Sequence, residues 1–219
     1  MTVELIPVIQ IENFDPDIQM PEGPYWKHPE KWEEYNQANH EKVGFPDQLK
    51  SYLKGSSFYS ISEISNNNLK KLVKDETEEM RKENYDRDLV SALSGGYILR
   101  VDNKDKIYPQ CCSDLKTIYE WEELLDNQDS IFYNGHPAPL VTVEDDAIIF
   151  NLSLGEKYHE QFVPEPTQTI ISVDKELLRH AIDRAKLELN NFSKRLLEIE
   201  KHENLNIGKI DKLLVWGDD

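Results

Sequence analysis

Two adjacent cysteines, Cys111 and Cys112, are the residues of this chain whose chemistry is most distinctive. Adjacent thiols can bind a soft metal, act as a redox couple or supply a thiolate nucleophile. A structural zinc site needs about four ligands, usually from cysteine or histidine pairs, and the sequence has no second cysteine pair. Reduced cysteine also tends to be buried as a small apolar residue. We therefore expect one cysteine to be buried and the other half-exposed, and we assign no metal and no cofactor.

His136 and Asp114 are the residues that could complete a catalytic group with either cysteine. His136 lies in a Gly-His-Pro loop, where it could act as general base while Asp114 orients its ring. The alternative is a loop histidine that bonds its own backbone or a neighbouring carboxylate. The sequence contains no P-loop, GxGxxG, HExxH or EF-hand spacing and no nucleophile elbow. We predict a non-enzymatic protein, with a small thiol- or metal-dependent enzyme using Cys111 or Cys112 and His136 as the alternative.

Three consecutive acids, Glu144, Asp145 and Asp146, separate two β-rich runs at 140–143 and 147–152. This pattern predicts a β-hairpin with an acidic tip; the name acidic tip refers below to these three residues. Such a cluster could take a hard cation, but acids at a hairpin end are more typical of a solvent-exposed surface. We expect the acidic tip to form the charged rim of a site for a basic protein partner.

The net charge of −17 is concentrated in the middle of the chain. Residues 94–173 carry 5 basic and 14 acidic side chains, or −9, whereas residues 1–93 carry −7 and residues 174–219 carry −1. A negative field of this kind repels nucleic-acid phosphates and anionic lipid. The charge therefore predicts binding to neither nucleic acid nor membrane, and it favours a basic partner or simple solubility.

The sequence also indicates a cytoplasmic location. Its longest apolar runs, such as residues 147–150, are far shorter than a membrane span. The N-terminus lacks the basic and apolar regions of a signal peptide. Two adjacent cysteines form no ordinary disulfide framework, which is typical of a reducing compartment.

Residues 1–93 have mostly helical patterns. Residues 3–11 are apolar and predict a strand or an extended arm, interrupted by Pro7. Helices are predicted from Pro29 to Gly44, from Pro46 to Gly55 and from Ser65 to Leu93.

Residues 94–173 have the patterns of a sheet. Gly95 and Gly96 are expected to end the preceding helix, and Ser113 or Asp114 to cap an inserted helix. The predicted strands are 97–101, 106–108, 131–133, 140–143, 147–152 and 167–173.

A long helix is predicted over residues 174–203, capped by Ser172 or Asp174 and followed by a tail, residues 204–219, that folds back on the body. Two interpretations of the helix remain: it packs along the domain, or it forms a dimerising coiled coil and makes the protein a homodimer. The residues with heptad spacing are Leu178, Ile182, Ala185, Leu189, Phe192, Leu196 and Ile199.

Together these elements predict one α+β domain covering residues 1–219. It has N-terminal helices, a central mainly antiparallel or mixed sheet with an inserted helix, and a long C-terminal helix. Hairpin connections between the strands, rather than crossover helices, favour this class over a parallel sheet.

Several motifs resemble known groups of proteins. The run made by Gly95-Gly96-Tyr97, residues 109–115, Trp121-Glu122 and Gly135-His136-Pro137 resembles a set of bacterial hypothetical proteins with no established activity. Residues 46–152, with a helix, a Gly pair, a hairpin and an aromatic-bearing helix, are similar to the SUKH superfamily. That resemblance implies an immunity protein that neutralises a toxin, and it fixes no functional residue. The chain has Ser94 where the superfamily often has Asn, and the adjacent cysteines and the long last helix lie outside the superfamily pattern.

Overall fold

A computed structural model describes residues 1–126, 132–153 and 161–217. The chain divides into two compact units: the first unit is Met1–Pro7 with Ser94–Leu189, and the second unit is Val8–Leu93 with Asn190–Asp219. None of the described helices combines the length and apolar character that crossing a membrane requires. Whether the chain unfolds as the single domain expected from its sequence stays a prediction.

The described part of the chain is α+β, as predicted from the sequence. The elements are β1 (Val3–Gln10), α1 (Pro29–Lys42), β2 (Phe58–Ser60), α2 (Asn66–Glu76), α3 (Glu78–Arg81), β3 (Gly95–Val101), β4 (Lys104–Ile107), α4 (Ile118–Asp126), β5 (Leu140–Val143), β6 (Ala147–Asn151), β7 (Ile170–Asp174) and α5 (Lys175–Glu203). The strands form two antiparallel sheets, one in the order β2-β1-β3-β4 and one in the order β5-β6-β7.

The helix predicted from Pro46 to Gly55 is wrong, because side chains of α1 hold this segment in an irregular path. One carboxylate oxygen of Glu33 accepts hydrogen bonds from the Ser51 hydroxyl and from the Gly55 backbone N–H, both at 2.7 Å. The Tyr52 N–H donates to the Phe58 carbonyl at 2.7 Å. The Gly55 and Tyr52 N–H groups are therefore used in these contacts and not in the hydrogen bonds of a helix.

The Gly pair does not end a helix, as the sequence predicted, but begins β3. Helix α3 already stops at Arg81, and only a 3₁₀ turn at Arg87–Leu89 follows it. Gly96 has φ +131°, and a Cβ atom there would lie 2.6 Å from the Ser113 hydroxyl oxygen. Glycine is therefore needed at this position for close approach between β3 and the segment before α4.

The hairpin and the inserted helix of the first unit are confirmed with shifted ends. Strand β4 begins two residues earlier than predicted and stops before Pro109, which lacks the N–H that a further pair would need. The strand predicted at 131–133 does not form at Phe132 or Tyr133, and Ile131 lies outside the described residues.

Helix α5 is confirmed, and its N-terminus is capped by Asp174, whose carboxylate accepts the Leu177 N–H at 2.8 Å. All seven residues of the heptad stripe are buried, and none is more than 8% exposed. The stripe therefore belongs to the core of the chain. A homodimer through this helix stays a prediction, and it would need a different face, where Leu187 and Leu197 are exposed.

The C-terminal tail folds back, as predicted, within the second unit. Residues Lys212–Trp216 form a π-helical turn in which Leu213, Leu214 and Val215 are buried. The Leu214 carbonyl accepts the Leu93 N–H at 2.9 Å, which fixes the tail beside the chain that enters β3.

Candidate functional site

The two cysteines lie at the centre of a four-residue turn, Gln110–Ser113, which we call the cysteine turn. The Ser113 N–H donates to the Gln110 carbonyl at 3.2 Å, so Cys111 and Cys112 occupy the two central positions. Cys112 has φ +68°, a left-handed conformation that favours glycine or asparagine. A glycine or an asparagine would therefore adopt this conformation with less strain than Cys112 does.

Buried polar groups hold both ends of the cysteine turn. The Gln110 side-chain amide donates to the Val163 carbonyl at 3.0 Å, and its oxygen accepts the Val163 N–H at 2.9 Å. At the other end, the Ser113 carbonyl accepts the Gly95 N–H at 3.0 Å. Gln110 and Ser113 are both buried, so both ends of the cysteine turn are anchored by residues of the protein interior.

A neighbouring segment, residues 134–136, pairs with the backbone of the cysteine turn. The Gln110 N–H donates to the Asn134 carbonyl at 3.1 Å, and the His136 N–H donates to the Cys111 carbonyl at 2.9 Å. Gly135 lies between them with φ +87°, and a Cβ atom there would lie 2.5 Å from the Gln110 carbonyl oxygen. The two segments can pair this closely only because residue 135 is a glycine.

Both thiols are exposed and reduced, so the expectation that one would be buried is wrong. A residue at the centre of a turn points away from the hydrogen bonds that close the turn, which outweighs the burial tendency of cysteine. The two sulfurs are 3.3 Å apart, whereas a disulfide bond is roughly 2.0 Å long. The structure thus presents a dithiol on the surface of the first unit.

His136 is exposed beside the cysteine turn, and its ring meets the ring of Tyr133 edge to face at a centroid distance of 5.1 Å. Burial, and after it the neighbouring Cys112 and Cys111, raise the pKa of Tyr133. Tyr133 therefore belongs to the same group of side chains. Its place here was not predicted from the sequence, although an aromatic residue two positions before Gly135 was a usable signal.

Asp114 immediately follows the cysteine turn and is half-buried. Burial raises the pKa of its carboxyl group, and the backbone N–H groups of Lys116 and Thr117 partly offset that rise. Asp114 stands at the N-cap position of the 3₁₀ turn that leads into α4, but its side chain makes no capping hydrogen bond there.

The acidic tip forms the end of the β5–β6 hairpin, as the sequence predicted. The Glu144 N–H donates to the Ala147 carbonyl at 2.8 Å and closes the turn, and the Lys175 N–H donates to the Asp146 carbonyl at 3.0 Å. All three acidic side chains are exposed, and no cation within residues 1–126, 132–153 and 161–217 forms an ion pair with them.

The residues at the cysteine turn and those of the acidic tip form two separate groups. In the part of the chain that the structure describes, no three His, Cys, Asp or Glu side chains come together as a set that could hold a metal ion. The Cys111 and Cys112 sulfurs are 3.3 Å apart and the His136 backbone pairs with Cys111, whereas the acidic tip makes no hydrogen bond to these residues in the described part of the chain.

Comparisons of the chain with protein-family models, with curated proteins and with solved structures find no match.

Proposed function

We propose that the protein is a non-enzymatic binding protein whose acidic tip contacts a basic surface on a partner protein. One observation carries the proposal: three consecutive carboxylates are exposed, and no cation pairs with them in the described structure. Some carboxylates elsewhere do form ion pairs within the chain, as Asp15 does with Lys42 at 2.6 Å and Glu203 with Lys74 at 2.6 Å. The three carboxylates of the acidic tip are consecutive, and they are accessible to the cations of a partner.

The supporting sheet holds this charge in place before any partner arrives. Strands β6 and β7 bury alternate residues below the tip, namely Ile148 and Phe150 of β6 and Ile171 and Val173 of β7. A rigid hairpin loses little entropy on binding. Three like charges on it attract a basic surface over a distance, which raises the association rate at low ionic strength and falls off with added salt.

We further propose that the protein has an immunity-like role in the cytoplasm. The similarity of residues 46–152 to the SUKH superfamily supports a toxin as the basic partner. A reducing compartment would keep two adjacent cysteines in the thiol form. One feature of that layout differs, since the helix before the Gly pair ends at Arg81 rather than at the glycines.

The test reverses the charge of the acidic tip. A partner is first identified by crosslinking to the wild-type chain, and its binding kinetics are then measured between low and high salt. The triple variant Glu144→Lys, Asp145→Lys, Asp146→Lys should associate at least about 10-fold more slowly at low salt, because steering contributes roughly 10-fold or more.

A matched control separates local from global charge. The variant Glu34→Lys, Glu41→Lys, Glu198→Lys changes the net charge by the same amount at three exposed positions of the second unit. It should keep most of the wild-type association rate. Equal rates for wild type and the tip variant at low salt would contradict the proposal.

A second candidate function is supported by the exposure of both thiols beside His136. In this candidate a thiolate of Cys111 or Cys112 is the nucleophile and His136 is its base. The variant His136→Gln should then slow alkylation of the thiols by iodoacetamide at neutral pH, whereas His180→Gln should not. Unchanged alkylation in the His136 variant would leave the binding protein as the proposal.

A further inference from the structure

The geometry of the cysteine turn selects the kind of ligand its dithiol can hold. One short turn with buried ends holds the backbone of the two adjacent cysteines, and their sulfurs lie 3.3 Å apart, so one ligand atom can bridge both sulfurs with little rearrangement. Cys112 also remains in a left-handed conformation that costs an ordinary residue roughly 1–2 kcal/mol.

The separation can be converted to a bond angle at a bridging atom. With a bond of about 2.3 Å from each sulfur to that atom, sulfurs 3.3 Å apart subtend an angle of about 90°. A linear two-coordinate ion would hold its sulfurs about 4.6 Å apart, and a tetrahedral ion about 3.8 Å apart. An angle near 90° is typical of a three-coordinate pyramidal centre that carries a lone pair.

We propose that Cys111 and Cys112 form a binding site for trivalent arsenic compounds. Thiolates are soft ligands and prefer soft centres, and trivalent arsenic is a soft pyramidal centre. It needs only two sulfurs from the protein, since a hydroxide or an organic group occupies its third position. This requirement agrees with the lack of a three-ligand metal group among the described residues. The site is independent of the acidic tip and of the binding function proposed for it.

The reaction is a ligand exchange without any redox change. Arsenite carries three hydroxyl groups on one arsenic atom. Each thiol forms a sulfur–arsenic bond, and its proton leaves with one displaced hydroxide as water, so two waters are released. One hydroxyl group stays on arsenic, which remains trivalent, and the protein sulfurs remain at the oxidation level of a thiol.

The aromatic side chains beside the cysteine turn favour an organic group in the third position. Tyr133 lies close enough to both thiols for them to influence its hydroxyl group, and its ring packs edge to face against His136. An aryl group on arsenic could contact this pair, and aromatic contacts contribute about 0.5–1.5 kcal/mol. We therefore expect phenylarsine oxide to bind more tightly than arsenite.

The experiment titrates the reduced full-length chain with phenylarsine oxide and counts the remaining thiols with Ellman's reagent. One equivalent should remove both thiols, and the mass of the intact chain should show one phenylarsenic group. The adduct should survive excess 2-mercaptoethanol, a monothiol, and should be released by dithiothreitol, a dithiol. Release by the monothiol would overturn the proposal, because it would show that only one sulfur holds the arsenic.

Three variants test whether the turn geometry is required. Cys111→Ser and Cys112→Ser should each weaken binding roughly 100-fold, the usual gain from a second linked contact. The double variant Cys112→Ser, Thr142→Cys keeps two cysteines but moves one to an exposed position on β5, and it should bind as weakly as the single variants. Wild-type binding by this double variant, with circular dichroism showing a native fold in all three, would overturn the proposal.

Zinc tests the angle argument with the wild-type chain. Equimolar zinc should leave both thiols reactive towards Ellman's reagent and should not compete with phenylarsine oxide, because a tetrahedral ion needs a wider sulfur separation. Protection of both thiols by zinc would show that the two sulfurs move apart easily. The inferred preference for a pyramidal centre over a tetrahedral ion would then be wrong.

Discussion

The cysteine turn and the acidic tip are both short turns of the first unit, but they are held in different ways. Buried Gln110 and Ser113 fix the ends of the cysteine turn, and a paired segment covers its backbone. The acidic tip has one closing hydrogen bond and one from the Lys175 N–H, and its side chains are exposed. Precise spacing matters for a chelating dithiol, whereas charge acts over a distance and needs only a stable support. Substitutions at four places should separate these two kinds of support, beginning with the one that should destabilise the protein most.

Gly135→Ala should have the largest effect because a Cβ atom at this position meets the Gln110 carbonyl oxygen at 2.5 Å. Left-handed strain costs roughly 1–2 kcal/mol and overpacking a further 1–3 kcal/mol, so we expect a loss of about 3–4 kcal/mol in the free energy of unfolding. Gly44→Ala is the matched control, since Gly44 has a similar φ of +85° and nothing within 4 Å. Urea denaturation of both variants measures the difference, and equal losses would show that the close approach is not real.

His40 in the second unit should lower the free energy of unfolding at acidic pH. This contribution must be removed before pH effects at either turn can be interpreted. Burial lowers the pKa of His40 to about 4, and nearby Glu33 only partly offsets this. Because the folded pKa lies below the unfolded value, the stability gained from neutral His40 is complete above pH 6.5 and is lost as the pH falls towards 4. The loss is at most about 3 kcal/mol.

His40→Gln should flatten the unfolding free energy between pH 6.5 and 4. The neutral imidazole contacts the Tyr59 hydroxyl at 2.7 Å and the Asn13 amide at 3.0 Å, so the variant should also be less stable at pH 7. His202→Gln, at an exposed position of α5, serves as the control and should keep the wild-type pH profile. A steep acid loss that persists in the His40 variant would place its origin elsewhere.

Gln110→Ala should cost about 2 kcal/mol, because it removes a buried side chain that both donates to and accepts from the Val163 backbone. Gln168→Ala is a suitable control, since Gln168 also makes side-chain hydrogen bonds but is exposed. That control should lose less than about 0.5 kcal/mol. Thermal unfolding distinguishes the two, and similar losses would mean that the cysteine turn is no better held than the protein surface.

Neutralising the acidic tip should have the smallest effect on stability. The variant Glu144→Gln, Asp145→Asn, Asp146→Asn removes three exposed charges without ion-pair partners in the described structure. We expect a change within about 0.5 kcal/mol, measured in the same urea titrations. A loss of more than about 1 kcal/mol would show that these carboxylates stabilise the fold and are not reserved for a partner.

The difference between the two turns also explains why the acidic tip was predicted correctly from the sequence and the exposure of the thiols was not. The acidic tip was predictable because a run of acids between two alternating segments has a local meaning, and local hydrogen bonds closed the hairpin as expected. The dithiol was visible in the sequence, but its exposure was predicted incorrectly. Its conformation depends on Asn134, Val163 and Gly95, which lie 18 to 53 residues away along the chain.

The α+β class, the β5–β6 hairpin, the inserted helix and the long helix with its Asp174 cap could all be predicted from local patterns. Each of these follows from periodicity or from a cap within a few residues, where propensity and pattern agree. Contacts between distant segments were needed to show that residues 46–55 form a loop, that Gly95 and Gly96 begin a strand and that both thiols face solvent. In each case the deciding hydrogen bond or close contact joins distant segments, and such contacts leave no periodic trace in the sequence.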